Sequence, residues 1–192
     1  MIDNGYKVTA LMGNHEYMFS QAIDETIPYC WDWRRYQNWI KNGGITTMHN
    51  FGYTRIDDLK QLDKKYITFI NELKSYVELD NCFLVHAGFN FKEEDIFKDK
   101  NSMYWVRNWY ETIDAEKVKS KLIIHGHTVR RFDTLEEEIK EKKFNAISID
   151  CGCVYNMNAN IGQLCAINID TLEVTLQKNV DKFEKVENTE AI

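Results

Sequence analysis

Proline is almost missing from this sequence: Pro28 is the one example in 192 residues, so long elements run without an obligatory break. No stretch rich in Pro, Gly or Ser separates two halves, no segment repeats, and none is of low complexity. A chain of this length without a linker reads as one domain with room for a substantial core. Apolar runs are short as well. None approaches the roughly 20 residues that a bilayer requires. Asp3, Lys7, His15 and Glu16 also interrupt the first twenty positions, where the apolar centre of a signal peptide would have to lie. A soluble, cytoplasmic protein with no membrane partner is the expectation. Positive charge is in deficit, with 24 Lys and Arg against 30 Asp and Glu, a formal −6. That argues against a general polyanion binder, because nucleic-acid affinity rests on cations meeting phosphates.

The five cysteines (Cys30, Cys82, Cys151, Cys153, Cys165) are odd in number and irregular in spacing, in a chain too long to need staples. Free thiols in a reducing compartment follow. Cys151 and Cys153 form a C-x-C pair, but no second pair or Cys-His cluster completes a soft-metal site. Two small buried residues on one face of a strand is the plainer reading.

What is present organises into elements. Residues 7–12 are a short apolar run ending at Gly13, the pattern of a buried strand followed by a tight loop. Residues 31–41 read as a helix stopped by Asn42-Gly43-Gly44. From 57 to 76, Leu59, Leu62, Tyr66, Phe69 and Leu73 recur every three or four positions and predict one amphipathic helix with a buried stripe. Residues 76–79 and 82–85 flank Asp80-Asn81 as a hairpin. A helix is expected at 102–111, a strand at 122–124, and further strands at 146–150, 164–169 and 173–177. The acidic run 136–141 reads as a solvated helix face. In the aromatic-rich run 29–39, core packing outweighs a role in lining a groove. Residues 179–192 form a charged tail. The fold class is α/β.

Three expected strands run into loops with one grammar: Gly13-Asn14-His15-Glu16, His86-Ala87-Gly88 and His125-Gly126-His127-Thr128. Ligands of α/β sheets collect beyond the carboxyl ends of strands. Four of the five histidines lie in these loops, His49 being the exception. Imidazole is both the commonest metal ligand and the side chain that titrates near neutrality. Each loop alone has a plain structural explanation. Asn14 could cap a helix with Glu16 in its first turn, His86 could be a buried ring bonded to backbone, and His-Gly-His could be a turn. The three together, in order and each after a strand, favour a site.

G-N-H-E, then H-A-G, then G-H-T, then Ile149-Asp150-x-Gly152 resembles the calcineurin-like metallophosphoesterases. The similarity is closest to the bacterial serine/threonine phosphoprotein phosphatase branch, which also holds the diadenosine tetraphosphate hydrolases. It spans residues 5–178, and Asn42-Gly43-Gly44-x-x-Thr47 and Trp105-Val106-Arg107 look like this branch too. The resemblance implies a two-sheet β-sandwich flanked by helices and two divalent ions. Manganese is expected first, with iron, zinc or nickel as alternatives. It implies further that Asn14, His86 and His127 ligate one ion, that His15 protonates the leaving oxygen with Glu16 or an absent Asp orienting its ring, and that Arg107 holds the phosphate. His125 falls outside the ligand position. On a helix at 102–111, Arg107 could instead merely snorkel or stack.

The family's opening motifs, G-D-x-H and G-D-x-x-D-R-G, do not occur here, and Asp3 has no such context. The expectation is therefore a partial phosphoesterase domain over 1–178, short of its opening βαβ unit, that binds one ion weakly and a second scarcely. Such a domain would expose a sheet edge and self-associate through it. Three functions stand: a phosphatase acting on phosphorylated proteins or small phosphoesters, a dinucleoside polyphosphate hydrolase, and a non-catalytic fragment or pseudo-phosphatase.

Overall fold

The computed structural model describes residues 5–23, 33–141, 145–155 and 160–180. Its α/β architecture holds a four-stranded sheet and a separate two-stranded one. In chain order come α1 (Asn14–Ala22), α2 (Trp33–Trp39), α3 (Ile45–Asn50), α4 (Lys64–Glu72), β1 (Tyr76–Glu78), β2 (Cys82–Val85), α5 (Lys100–Trp105), β3 (Leu122–His125), α6 (Phe132–Glu141), β4 (Ala146–Ser148), β5 (Gln163–Ile167) and β6 (Val174–Lys178). The larger sheet has the order β1-β2-β3-β4. The hairpin formed by β1 and β2 is antiparallel, while β2, β3 and β4 run parallel. Strands β5 and β6 pair as an antiparallel hairpin. Among the described residues no helix is long and apolar enough to cross a membrane.

Parallel strands are covered on both faces, and their sequences are accordingly apolar throughout. Phe83, Val85, Ile123 and Ala146 face a cluster with Phe89, Met103, Trp109 and Val118. Ile147 and Leu122 turn the other way, onto Leu135 of α6. Helix α6 carries the acidic run 136–141 to solvent, with Leu135 as its buried anchor. A third cluster, of Met18, Ala22, Trp39, Met48 and Leu59, knits α1 to the region of α2 and α3.

Four expected elements take a different form. Residues 7–12 do not make a strand. Their pairing is a single bridge between Leu11 and Lys74, with Met12 N donating to Lys74 O and Lys74 N to Ala10 O. The Gly-Gly stop is a kink, because Asn42 (φ −106°, ψ 34°) and Gly43 (φ 97°) leave the helical region and the helix resumes at Ile45. Residues 31 and 32 of that expected helix lie outside the described residues.

The amphipathic helix of 57–76 is broken in two. The Asp58 carboxylate accepts from the N–H groups of Thr54 and Arg55 and caps a 3-10 turn (Ile56–Gln61). Leu62 then becomes extended, and Asp63 starts α4 afresh by accepting from Lys65 N. Two aspartates able to bond local backbone outcompete the continuous helix. Leu59 and Leu62 keep their buried place, but Tyr66 and Phe69, beyond the break, are 39% and 51% exposed.

Finally, the expected helix 102–111 ends at Trp105, Val106 being extended, so Arg107 sits in a loop and not on a helix. Cys151 and Cys153 are not on a strand either. They follow β4 in a turn, and only Cys151 is buried. The described cysteines are free thiols, and burial pushes the Cys151 thiol up to about 12. Cys30 and the tail beyond 180 lie outside the described residues.

Candidate functional site

Strands β2 and β3 are parallel, so the residues after them emerge at the same end of the sheet. His86 follows Val85 directly, and Gly126 and His127 follow His125. Backbone bonds lock these loops together: Gly126 N donates to His86 O and Ile149 N donates to His125 O, each at 2.8 Å. His127 takes a left-handed backbone conformation (φ 63°), uncommon for a residue with a Cβ.

The third contributor arrives from α1. Gly13, not Asn14, is the cap residue of that helix, and it makes no side-chain cap bond. Asn14 is left with its side chain buried and turned to the sheet end, where its Oδ1 lies 2.9 Å from His86 Nε2. His86 Nε2 in turn lies 3.2 Å from His127 Nδ1. Gly13 eases this approach, because a Cβ there would stand 3.1 Å from the His86 ring and 2.6 Å from a Glu16 carboxylate oxygen, which would have to swing aside.

The imidazoles are held neutral. Burial, then the neighbouring charges of His127, His15, His125 and Arg107, lowers the pKa of His86 to about 4. Burial and Arg107 lower that of His127. Neutral imidazole is the form that ligates a metal. His127 Nε2 is a buried nitrogen with no hydrogen-bond partner. His125 is occupied otherwise. Its Nδ1–H donates to Gly126 O (2.8 Å) and its Nε2 accepts from Tyr110 Oη (2.7 Å), with burial lowering its pKa to about 4. It is a structural histidine, and Tyr110 as its partner had no signal in the sequence.

His15, one residue past Asn14, is exposed and its Nδ1–H donates to the main-chain oxygen of Asn42 at 3.1 Å. Among the described residues that carbonyl, and not Glu16 or an aspartate, bonds the ring. A carbonyl can only accept, so Nδ1 carries its proton and Nε2 is the nitrogen available for exchange. The sequence contained the signal for this contact, Asn42-Gly43-Gly44, but only as a helix stop. Arg107 reaches the same place from the loop after α5, its Nη1 donating to His127 O at 3.0 Å. Asp150 accepts from Gly152 N, closing the turn after β4. His49 is exposed on α3, apart from these groups.

The two separations of the cluster can be set beside those of ligands on one cation. With ligand bonds of about 2.1 Å, neighbours at right angles about one ion stand about 3 Å apart, and the two separations here are 2.9 and 3.2 Å. Among the described residues no three His, Cys, Asp or Glu side chains gather as a metal cage. The set at hand is instead two imidazoles and an amide, one ion's worth of donors. The chain matches no family model, no curated protein and no solved structure.

Proposed function

We propose that this chain is a metal-dependent phosphoester hydrolase of the calcineurin-like type, with Asn14, His86 and His127 as ligands of one divalent ion. One observation carries the reading: Asn14 Oδ1, His86 Nε2 and His127 Nδ1 converge within hydrogen-bonding distance from segments 72 and 41 residues apart in sequence. The two sheets, one of four strands and one of two, are consistent with the sandwich that goes with this family. Two imidazoles and an amide oxygen suit manganese, iron, zinc or nickel.

When bound, the ion supplies charge neutralisation at the phosphoryl group and activation of a water. The chain's own residues do the rest. His15, directed by Asn42 O, delivers a proton from Nε2 to the leaving oxygen, so that the departing alcohol leaves uncharged. Arg107 uses one of its five N–H donors on His127 O and presents its fork to the equatorial phosphate oxygens. Burial keeps His86 deprotonated at neutral pH and disfavours the protonated form of His127.

Calorimetric titration with manganese tests the ligand set. Asn14→Ala, His86→Ala and His127→Ala should each weaken binding tenfold or more, and unchanged affinity in all three discards the assignment. Hydrolysis of p-nitrophenyl phosphate with added manganese tests catalysis. His15→Ala should lower turnover about 10²–10⁴-fold while metal affinity stays within twofold. Equal rates in the parent chain and the variant reject catalysis by this chain.

A further inference from the structure

The kink that bonds His15 carries a chemical signal that the hydrolase reading leaves unused, an asparagine followed by glycine. Asn-Gly occurs at 4–5 and at 42–43, and Asn42 is the one within the described residues. We infer that Asn42 is a site of spontaneous modification: its side-chain amide is lost through a cyclic imide, and the isoaspartate that follows removes the peptide carbonyl to which His15 is bonded. The modification needs only water, and it holds whether or not the chain hydrolyses phosphoesters.

The step balances on this chain and water alone. Gly43 N attacks the side-chain carbonyl carbon of Asn42, Cγ. The N–Cγ bond forms, the Cγ–Nδ2 bond breaks, and ammonia leaves with the proton that Gly43 N gives up. Water then opens the ring. Attack at Cγ breaks the new bond and gives aspartate. Attack at the main-chain carbonyl carbon breaks the old peptide bond instead. The chain then runs to Gly43 through Cγ, and a free carboxylate stands on the α-carbon.

Three observations carry the inference, and the first is backbone freedom. An imide closes only where the following N–H swings round to the side chain. A continuous helix forbids that movement, because it fixes ψ and bonds the N–H groups. Asn42 (φ −106°, ψ 34°) and Gly43 (φ 97°, ψ 0°) have left the helical region. Lys41, Asn42 and Gly43 form an exposed crest between the buried Trp39 and Gly44. The attacking nitrogen is unshielded: glycine brings no side chain, and a Cβ built on Gly43 would meet nothing within 4 Å.

The second is how lightly the amide is held. Asn42 Nδ2 donates to Asn38 O at 2.7 Å, and Asn38 Oδ1 stands 3.5 Å away, at the edge of bonding. Both residues are exposed, so water replaces that bond at little net cost. The third is what the carbonyl does. His15 Nδ1–H donates to Asn42 O at 3.1 Å. In isoaspartate that oxygen belongs to a carboxylate outside the peptide link, and the link itself is one carbon longer. A neutral acceptor set by the turn becomes a charged one that rotates, so the ring is bonded to a group that no longer fixes its direction.

The test ages the full, metal-free chain at physiological temperature in mildly alkaline buffer, beside a synthetic peptide of residues 40–51. Chymotrypsin cuts after Trp39 and Phe51 and so keeps Asn42 internal. Mass spectrometry of that fragment, with isoaspartyl methyltransferase labelling, follows amide loss and its product. Loss at Asn42 in the chain should run within about tenfold of the free peptide, with isoaspartate the main product. Gly43→Ala should slow it by about tenfold or more while loss at Asn4 is unaltered. As isoaspartate accumulates, a second set of His15 ring resonances should grow in proportion, with those of the buried His125 unmoved. Loss more than about tenfold slower than in the peptide, or His15 resonances that do not follow the isoaspartate, overturns the inference. Turnover of p-nitrophenyl phosphate with manganese is read separately. The rate of the parent chain should fall as isoaspartate rises, whereas Asn42→Gln, whose longer side chain closes a ring far more slowly, should keep its own starting rate. An equal fall in aged Asn42→Gln overturns the coupling to His15. A fresh chain with no turnover fails the hydrolase reading alone, and the mass and resonance measurements still decide the inference.

Discussion

The two halves of the site are built on opposite plans. His86 and His127 hang from parallel strands whose flanking core residues, Phe83 and Ile123, are fully buried. Their loops are tied by main-chain bonds and their rings are partly shielded from water. His15 stands exposed at the end of a helix and takes its direction from a kinked segment, beside a groove between α1, that kink and α4 in which the Tyr66 and Phe69 rings are part exposed. The difference matches two demands. On the proposed reading, metal ligands must be neutral and must not move, and a sheet end tied by main-chain bonds and partly shielded from water serves both. A proton donor must reach a departing group and release it, which calls for an open, adaptable border.

The sharpest way to break this contrast is to hollow the sheet side. Phe83→Ala should cost about 3–5 kcal/mol of stability by urea unfolding, and a loss below 1 kcal/mol would show that the buried strands do not hold the ligand loops. Acid comes next. His125 has its pKa lowered from an ordinary 6.5 to about 4, so the unfolded chain takes up the proton first as pH falls. Stability conferred by the neutral ring is complete above pH 6.5 and shrinks steadily towards pH 4. Its contribution to that fall, between pH 6.5 and 5, is about 2 kcal/mol. His125→Gln in the metal-free chain should flatten the slope over that window, and an unaltered slope would contradict the assignment.

On the helical side the effects shrink. Gly43→Ala meets open space but must hold a left-handed backbone, at about 1 kcal/mol. The same change should weaken turnover, through the Asn42 carbonyl, more than it weakens manganese binding. Smallest is Phe69→Ala, which should leave stability within about 0.5 kcal/mol because half of that side chain already faces water. A loss comparable to that of Phe83→Ala would mean that the groove is core and the contrast false.

The sheet half was legible in the sequence. The hairpin at Asp80-Asn81, the strand at 82–85 with His86 after it, and the strand expected at 122–124, which runs one residue further to include His125 before His127 follows, stand where short apolar runs and glycine-bearing loops put them. Such signals are local, and each strand is apolar throughout because both of its faces are covered. The helical half was not, for two reasons. Periodicity from 57 to 76 could not reveal that Asp58 and Asp63 each bind nearby N–H groups and cut the helix between them. Nor could a Gly-Gly pair say whether a helix ends or bends, since that depends on what packs beyond it. The strand at 7–12 failed for a related reason: only Ala10 to Met12 find a partner, in Lys74. The contact that orients His15 was invisible because it is made by a main-chain oxygen, which every residue possesses.

That last contact has an evolutionary and engineering consequence. An acid steered by an Asp or Glu side chain is disabled by replacing one residue, whereas here position 42 can change identity as long as the chain follows the same path. Insertions and deletions between 39 and 45 are the vulnerable changes, since they carry the carbonyl away from the ring. The orientation of the His15 ring, and on the proposed reading the direction of proton delivery, is thus encoded in the length of a turn, a property that substitution scanning would pass over and a one-residue shortening would expose at once.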